Sequence, residues 1–523
     1  MAVELIKDLL KIDQIVGKDE IQALVEGEIT VPETKPKIKK ILKIDGEVQV
    51  TGTKVVKDKI IVSGIVNFKV LYNADDELQS IHSVDASTDF REEIQVENVD
   101  EKMSAEIKAN VEHIDYSLTD DLRISVKTVL DIASKAVLDN SIDIVKDIKG
   151  VEGLQMLKEN IKCNDILGIN SSSTLVKEAF ELEGSMPDIV DILRVDVKTH
   201  EQETKVVDDK VIVAGVISCS IMYFGDDEEN KVNYLSHEIP FTHFVEIPGA
   251  IKDMNCKLKL QANEVNYDIK EDINGDIRII DIESTVKIEA KVYKQVEKEV
   301  TVDTYSTNKK FDVKKQEVMV TENIGQNTSK EQINGTIDVA VDREVIKNIF
   351  NMNGRPVVTD YRLIESKVII EGLLELDMLY LAESDNEIKD IRQEIPFKAY
   401  VDIEGINDTM EVEVENMLED ISYKQISSHE VEVDAVIKNF VSVNRIKKIN
   451  IVTEAVESDE ALDKNSRPSI TIYIVQKDDT LWDIAKRYNT TVEELINSND
   501  ILTPENIMPG EKIIIEKNIT FEL

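Results

Sequence analysis

The side chains that could carry chemistry are three cysteines, six histidines and a large excess of carboxylates. Cys163, Cys219 and Cys256 could act as nucleophiles or metal ligands, but they form no CxxC and no metal-ligand spacing. In a segment that occurs three times, Cys219 takes the slot of Phe68 and Leu376, which marks it as a small core hydrophobe. His237 and His243 stand beside Glu238 and Glu246, yet a strand break is expected at Pro240 between them, so no metal site is assigned there. Clustered carboxylates at Asp75-Asp76-Glu77, Asp226-Asp227-Glu228-Glu229 and Ser384-Asp385-Asn386-Glu387 would suit calcium. Their spacing is not kept between copies, so they read as solvated hairpin tips. No catalytic set emerges; a non-enzyme without cofactor or metal is expected.

The elements around these residues come from a repeat. Lys54 to Tyr72 (KVVKDKIIVSGIVNFKVLY) returns as Lys205 to Tyr223 and as Arg362 to Tyr380. Each copy carries a glycine (Gly64, Gly215, Gly372) and ends on a tyrosine. Beyond the glycine every second residue is apolar, as in Val66, Phe68 and Val70, which is the period of a half-buried strand. Short polar breaks at Asp58, Asp208-Asp209 and Glu365-Ser366 make each copy a β-hairpin. The match extends outward through Gly17, Gly168 and Gly325 to Tyr116, Tyr267 and Tyr423, so three units of about 150 residues form a tandem array. Expected boundaries are 1–150, 151–307 and 308–456, with Lys298 to Lys310 as a polar connector and 457–469 as a linker before a module at 470–517. The fold class is mainly β: antiparallel sandwich or barrel-like repeats, then a small βααβ domain.

A net charge of −42 argues against nucleic acid, because phosphate binding needs clustered Lys and Arg. It also disfavours an anionic membrane surface, and no apolar run reaches the length of a membrane span. The sparse cysteines fit a reducing compartment, and the acidic start of the chain makes a poor signal peptide. A cytoplasmic location is the expectation.

In the C-terminal module, Thr480 with Asp483 and Thr491 with Glu494 are N-cap signatures for two short helices between strands at Tyr473 and Lys512. The run Tyr473-Ile-Val-Gln-Lys-Asp-Asp-Thr-Leu-Trp-Asp-Ile-Ala-Lys-Arg-Tyr488, with Thr491-Val-Glu-Glu-Leu495 and Ile507-Met-Pro-Gly-Glu-Lys-Ile513, resembles the LysM domain. One departure is Asp478, where the family usually has Gly; Asp tolerates positive φ, so the turn should survive. The resemblance implies a groove with Asp479, Thr480, Leu481 and Trp482 on one wall and Ile501, Ile507, Met508, Pro509 and Gly510 on the other. Thr480, Trp482 and Met508 are expected to be exposed, and Leu481 and Ile507 to serve the core.

Three acidic β-repeats followed by one LysM module are similar to the SipL family of spore morphogenetic proteins. That resemblance implies a scaffold for coat assembly in the mother-cell cytoplasm, at the outer surface of the forespore. Its implied partner is the coat basement-layer ATPase SpoIVA, bound chiefly through the LysM module, with other coat proteins on the repeats. The alternative is a peptidoglycan-binding protein of the cell envelope, recognising N-acetylglucosamine glycans.

Overall fold

The computed structural model describes residues 4–74, 81–227, 232–339, 345–383, 388–458, 462, 468–504 and 507–516. Most of the acidic hairpin tips and of the segment 457–469 lie outside the described residues. The first repeat comprises β1 (Glu4–Thr30), β2 (Ile38–Val56), β3 (Lys59–Ala74), β4 (Ile81–Gln95), β5 (Ser104–Leu118) and β6 (Arg123–Lys149). The second comprises β7 (Leu154–Glu181), β8 (Ile189–Val207), β9 (Lys210–Gly225), β10 (Val232–Glu246), β11 (Asn255–Glu271) and β12 (Ile277–Ser306). The third comprises β13 (Phe311–Asp338), β14 (Ile346–Ile364), β15 (Lys367–Ala382), β16 (Ile388–Asp402), β17 (Glu411–Gln425) and β18 (Glu430–Glu457).

Each repeat is a sandwich of two three-stranded antiparallel sheets, ordered β1-β6-β5 and β2-β3-β4 in the first and likewise in the others. The repeated hairpin is the centre of one sheet. Its polar tips take positive φ at Asp58, Asp209 and Glu365. A side chain at Gly64 would sit 2.5 Å from the Phe90 ring and 2.6 Å from the Gln49 carbonyl, and Phe241 and Phe397 crowd Gly215 and Gly372 in the same way. The terminal tyrosines are buried, and the hydroxyls of Tyr72 and Tyr223 each donate to a proline carbonyl, of Pro36 and Pro187, at 3.0 Å.

Two expectations need correction. Lys298 to Ser306 is the end of β12 rather than a connector, because Val300, Thr301, Thr304 and Ser306 are buried against neighbouring strands. Pro240 does not break β10: the strand runs through it, paired with Val216, and as an edge strand β10 tolerates the missing N–H. His237 and His243 share one strand but not one site; His237 bonds Glu178 at 3.0 Å and His243 bonds Ser172 at 2.8 Å. Among the described residues no group of His, Cys, Asp and Glu could hold a metal ion, and no helix is long and apolar enough to cross a membrane.

The first and last strands of each repeat outrun the sandwich as a two-stranded ribbon: β1 with β6, β7 with β12, β13 with β18. A register shift falls at Gly17, Gly168 and Gly325, where each ribbon leaves its sandwich. The three ribbons pack on one another through Leu10, Ile142, Ile161, Val300, Val318 and Ile451, forming an apolar stalk. Cys163 is buried in that stalk, and burial pushes its thiol up to about 11.

The repeats close into a ring instead of trailing as beads. β4 touches β8, β10 touches β14, and β16 returns to β2. Equivalent hairpin residues Leu71, Met222 and Leu379 meet in one apolar cluster at the ends of the sandwiches remote from the stalk. Next to it, Lys43 bonds Asp377 at 2.6 Å, Lys69 bonds Asp196 at 2.8 Å, and Arg194 bridges Asp45 and Asp196. A second belt links Lys18 to Glu411, Lys135 to Glu413 and Lys257 to Glu415 at 2.8–2.9 Å. Between repeats the ring lines an open cleft of about 1470 Å³ walled by Gln49, Lys198, Asn263, Tyr267 and Arg355, with contributions from all three copies.

Candidate functional site: a docked C-terminal module

β19 (Ile470–Ile474) pairs antiparallel with β20 (Lys512–Glu516), and α1 (Leu481–Tyr488) and α2 (Val492–Asn499) lie between them in the chain. The helices start where the sequence places their caps. Thr480 accepts from the Asp483 amide at 3.1 Å, and Thr491 and Glu494 form a reciprocal capping box. Both end in left-handed residues, Asn489 and Asp500. Asp478 stands at φ 68°, so it holds the turn that Gly usually makes.

The two expected walls are brought together. The Gly510 amide donates to the Val475 carbonyl at 2.8 Å, which sets the 507–510 loop beside the 476–480 loop. Leu481 is buried, Ile501 and Ile507 are half-buried, and Thr480, Met508, Pro509 and Gly510 are exposed, Met508 at 65%. Asp479 organises its own loop: it accepts from the Tyr473 hydroxyl at 2.6 Å and the Gln476 amide at 2.7 Å. Those two bonds hold its carboxyl below the ordinary Asp value.

Trp482 is placed differently from the expectation. It is half-buried, packed edge-on against Tyr305 of β12 with ring centroids 4.9 Å apart. Its indole N–H donates to Asp303 at 2.8 Å. Lys486 reaches the same carboxylate at 2.7 Å, as does Lys315 of β13 at 2.8 Å. The Tyr305 hydroxyl donates to the Thr490 carbonyl at 2.7 Å, and its ring joins the module's own core with Val475, Leu481, Ile484, Leu495 and Ile513. Burial pushes Asp303 up, but hydrogen bonds from Lys315, Lys486 and Trp482 outweigh it and hold the carboxyl below its ordinary value. Thus α1 is seated on the stalk and the module has a fixed place on the ring.

Asp303 and Tyr305 were hidden from sequence reasoning because Lys298 to Lys310 has the polarity of a connector. The alternation of Val300 and Val302 was the available signal for a strand. Also missed was the outer face of the small sheet. Ile470, Ile472 and Ile474 are 61%, 62% and 51% exposed, and Ile514, opposite Ile472, is 39% exposed.

Comparison with known families finds the SipL SPOCS domain at residues 37–119, 188–270 and 345–426 and the LysM domain at 473–516. Each SPOCS match begins at the first strand of the hairpin sheet and ends at the close of β5, β11 or β17, leaving the ribbons outside it. No curated protein and no solved structure matches the chain. The chain is therefore a sporulation-related protein of the SipL family, three SPOCS domains closed into a ring and followed by a LysM domain.

Proposed function

We propose that this protein is a non-enzymatic morphogenetic scaffold of the spore coat, working in the mother-cell cytoplasm at the outer surface of the forespore. Its partner is the coat ATPase SpoIVA, held chiefly by the LysM domain. The observation that carries this reading is the LysM surface left free after docking. With α1 taken up by Tyr305 and Asp303, the domain offers four exposed isoleucines on its sheet and the loop residues Thr480 and Met508 to Gly510. A flat isoleucine face suits a protein surface better than the hydroxyl-rich edge of a glycan. The repeats contribute further contacts to coat proteins.

Glycan binding is the second reading, supported by the LysM class itself and by the adjacent exposed walls at Thr480 and Met508. Co-purification of the intact chain with SpoIVA, beside pull-down on peptidoglycan, separates the two. Loss of SpoIVA but unchanged folding in Ile472→Asp supports the scaffold. Retention on peptidoglycan with no SpoIVA recovered defeats it.

A further inference from the structure

In the third repeat a polar row replaces core hydrophobes. Across the sheet β13-β18-β17, Ser329 lies opposite Asn439 and Asn439 opposite Asn416. The same row reads Ile21, Ile132, Ala109 in the first repeat and Ser172, Ile288, Leu260 in the second. Asn439 is 0% exposed, in strand alternation with the core residues Ile437 and Val441. Neither its Nδ2 nor its Oδ1 has a hydrogen-bond partner among the described residues, and the same holds for Ser329 Oγ and Asn416 Nδ2.

The facing sheet explains why. In the second repeat His243 projects between the core residues Phe241 and Val245 and bonds Ser172 at 2.8 Å. The equivalent residue in the third repeat, between Phe397 and Val401, is Ala399. A methyl group stands in place of an imidazole, so the partner that Ser172 has in the second repeat is missing for Ser329. A buried polar group left unpaired loses its hydration with nothing in return, so such groups are destabilising unless water reaches them. Four such groups, mixing donors and acceptors with no charge among them, match what a buried water bonds to, typically about three partners.

We propose that Ser329, Asn416 and Asn439 wall an internal hydration site in the third repeat, filled by ordered water that takes the place of the second repeat's imidazole. The ligand class is neutral and both donates and accepts; an ion finds no compensating charge in the row. The site is specific to one copy, so it distinguishes the third SPOCS domain from its two neighbours at the core.

The test is a crystal structure of the full chain at a resolution that shows ordered solvent, with oxygen-17 relaxation dispersion on the same protein and on Ala399→His. Density within hydrogen-bond distance of Asn439 and Ser329 is expected. So is a long-lived water component in the parent that is lost in Ala399→His, where the imidazole reaches Ser329. A dry row, with the Asn439 amide bonded directly to Asn416 or Ser329, would overturn the proposal. Equal relaxation in parent and folded variant would do the same. If the variant does not fold, the density in the parent decides alone.

Discussion

Replacing Asp303 by alanine should undock the LysM domain without unfolding it. The carboxylate is 6% exposed and is shared by Trp482, Lys486 and Lys315, at 2.7–2.8 Å. Breaking a fully buried ion pair costs about 3–5 kcal/mol. Here the two lysines are 38% and 35% exposed, so once unpaired they can turn to water. That reduces the loss to about 1–3 kcal/mol, dominated by the stranded indole N–H and the lost lysine contacts. Tyr305 still packs on the module, so the ratio of docked to undocked module should fall by roughly tenfold for each 1.4 kcal/mol lost. The assay is direct, because Trp482 is the chain's single tryptophan. Its emission should shift to the red in Asp303→Ala, and in the parent as salt screens the lysines, while the circular dichroism of the β-repeats stays unchanged. Acid should act similarly: with its folded value below 3.8, Asp303 contributes docking energy above that pH and loses it as pH falls through the folded value. Unaltered Trp482 emission in Asp303→Ala would refute the electrostatic seat.

Arg194→Met should destabilise the ring by about 1–3 kcal/mol, because it removes the bridge between Asp45 and Asp196 and leaves each with one lysine, Lys43 at 3.7 Å and Lys69 at 2.8 Å; a melting shift under 1 °C would refute this. Burial pushes Tyr72 and Tyr223 up to about 12. Ultraviolet titration should therefore resolve a late-ionising class, and the stability these two contribute should be intact below pH 10 and lost as pH rises towards 12. Deleting the third repeat should unfold or aggregate the remainder instead of leaving two folded domains, since Lys43, Lys135, the stalk and the hairpin cluster all lose their partners in it. A soluble, cooperatively melting two-repeat fragment would count against the ring.

The hairpin was legible because strand alternation and a crowded glycine are local: Val66, Phe68 and Val70 face one core whatever surrounds it. The LysM helices were legible for the same reason, through Thr480 and Thr491. The ring was not. Leu10 and Ile142 alternate as they would in any half-buried strand, and nothing local says that the covering surface is another repeat. The ion pairs that join the copies link residues as far apart as Lys43 and Asp377. Asp303 misled in the opposite direction, since a buried, fully paired carboxylate has the same letter as a solvated one.

Divergence between the copies is what the ring requires. In a ring of three identical units every interface would be the same, and each copy could pair with either neighbour or with another chain. The charged positions break that equivalence: Lys43 and Arg194 correspond to Asn351, and Asp45 and Asp196 to Asn353, while Lys69, Ser220 and Asp377 occupy a third equivalent slot. Each cation finds its carboxylate on a particular other copy, so only one circular order satisfies all of them. A wrong order would bring like charges together or leave them unpaired, which disfavours it. Repetition alone would offer several similar, independent surfaces acting by avidity. Closure instead packs those surfaces against one another around the ring and seats the LysM domain at the stalk, so a partner meets them in one arrangement.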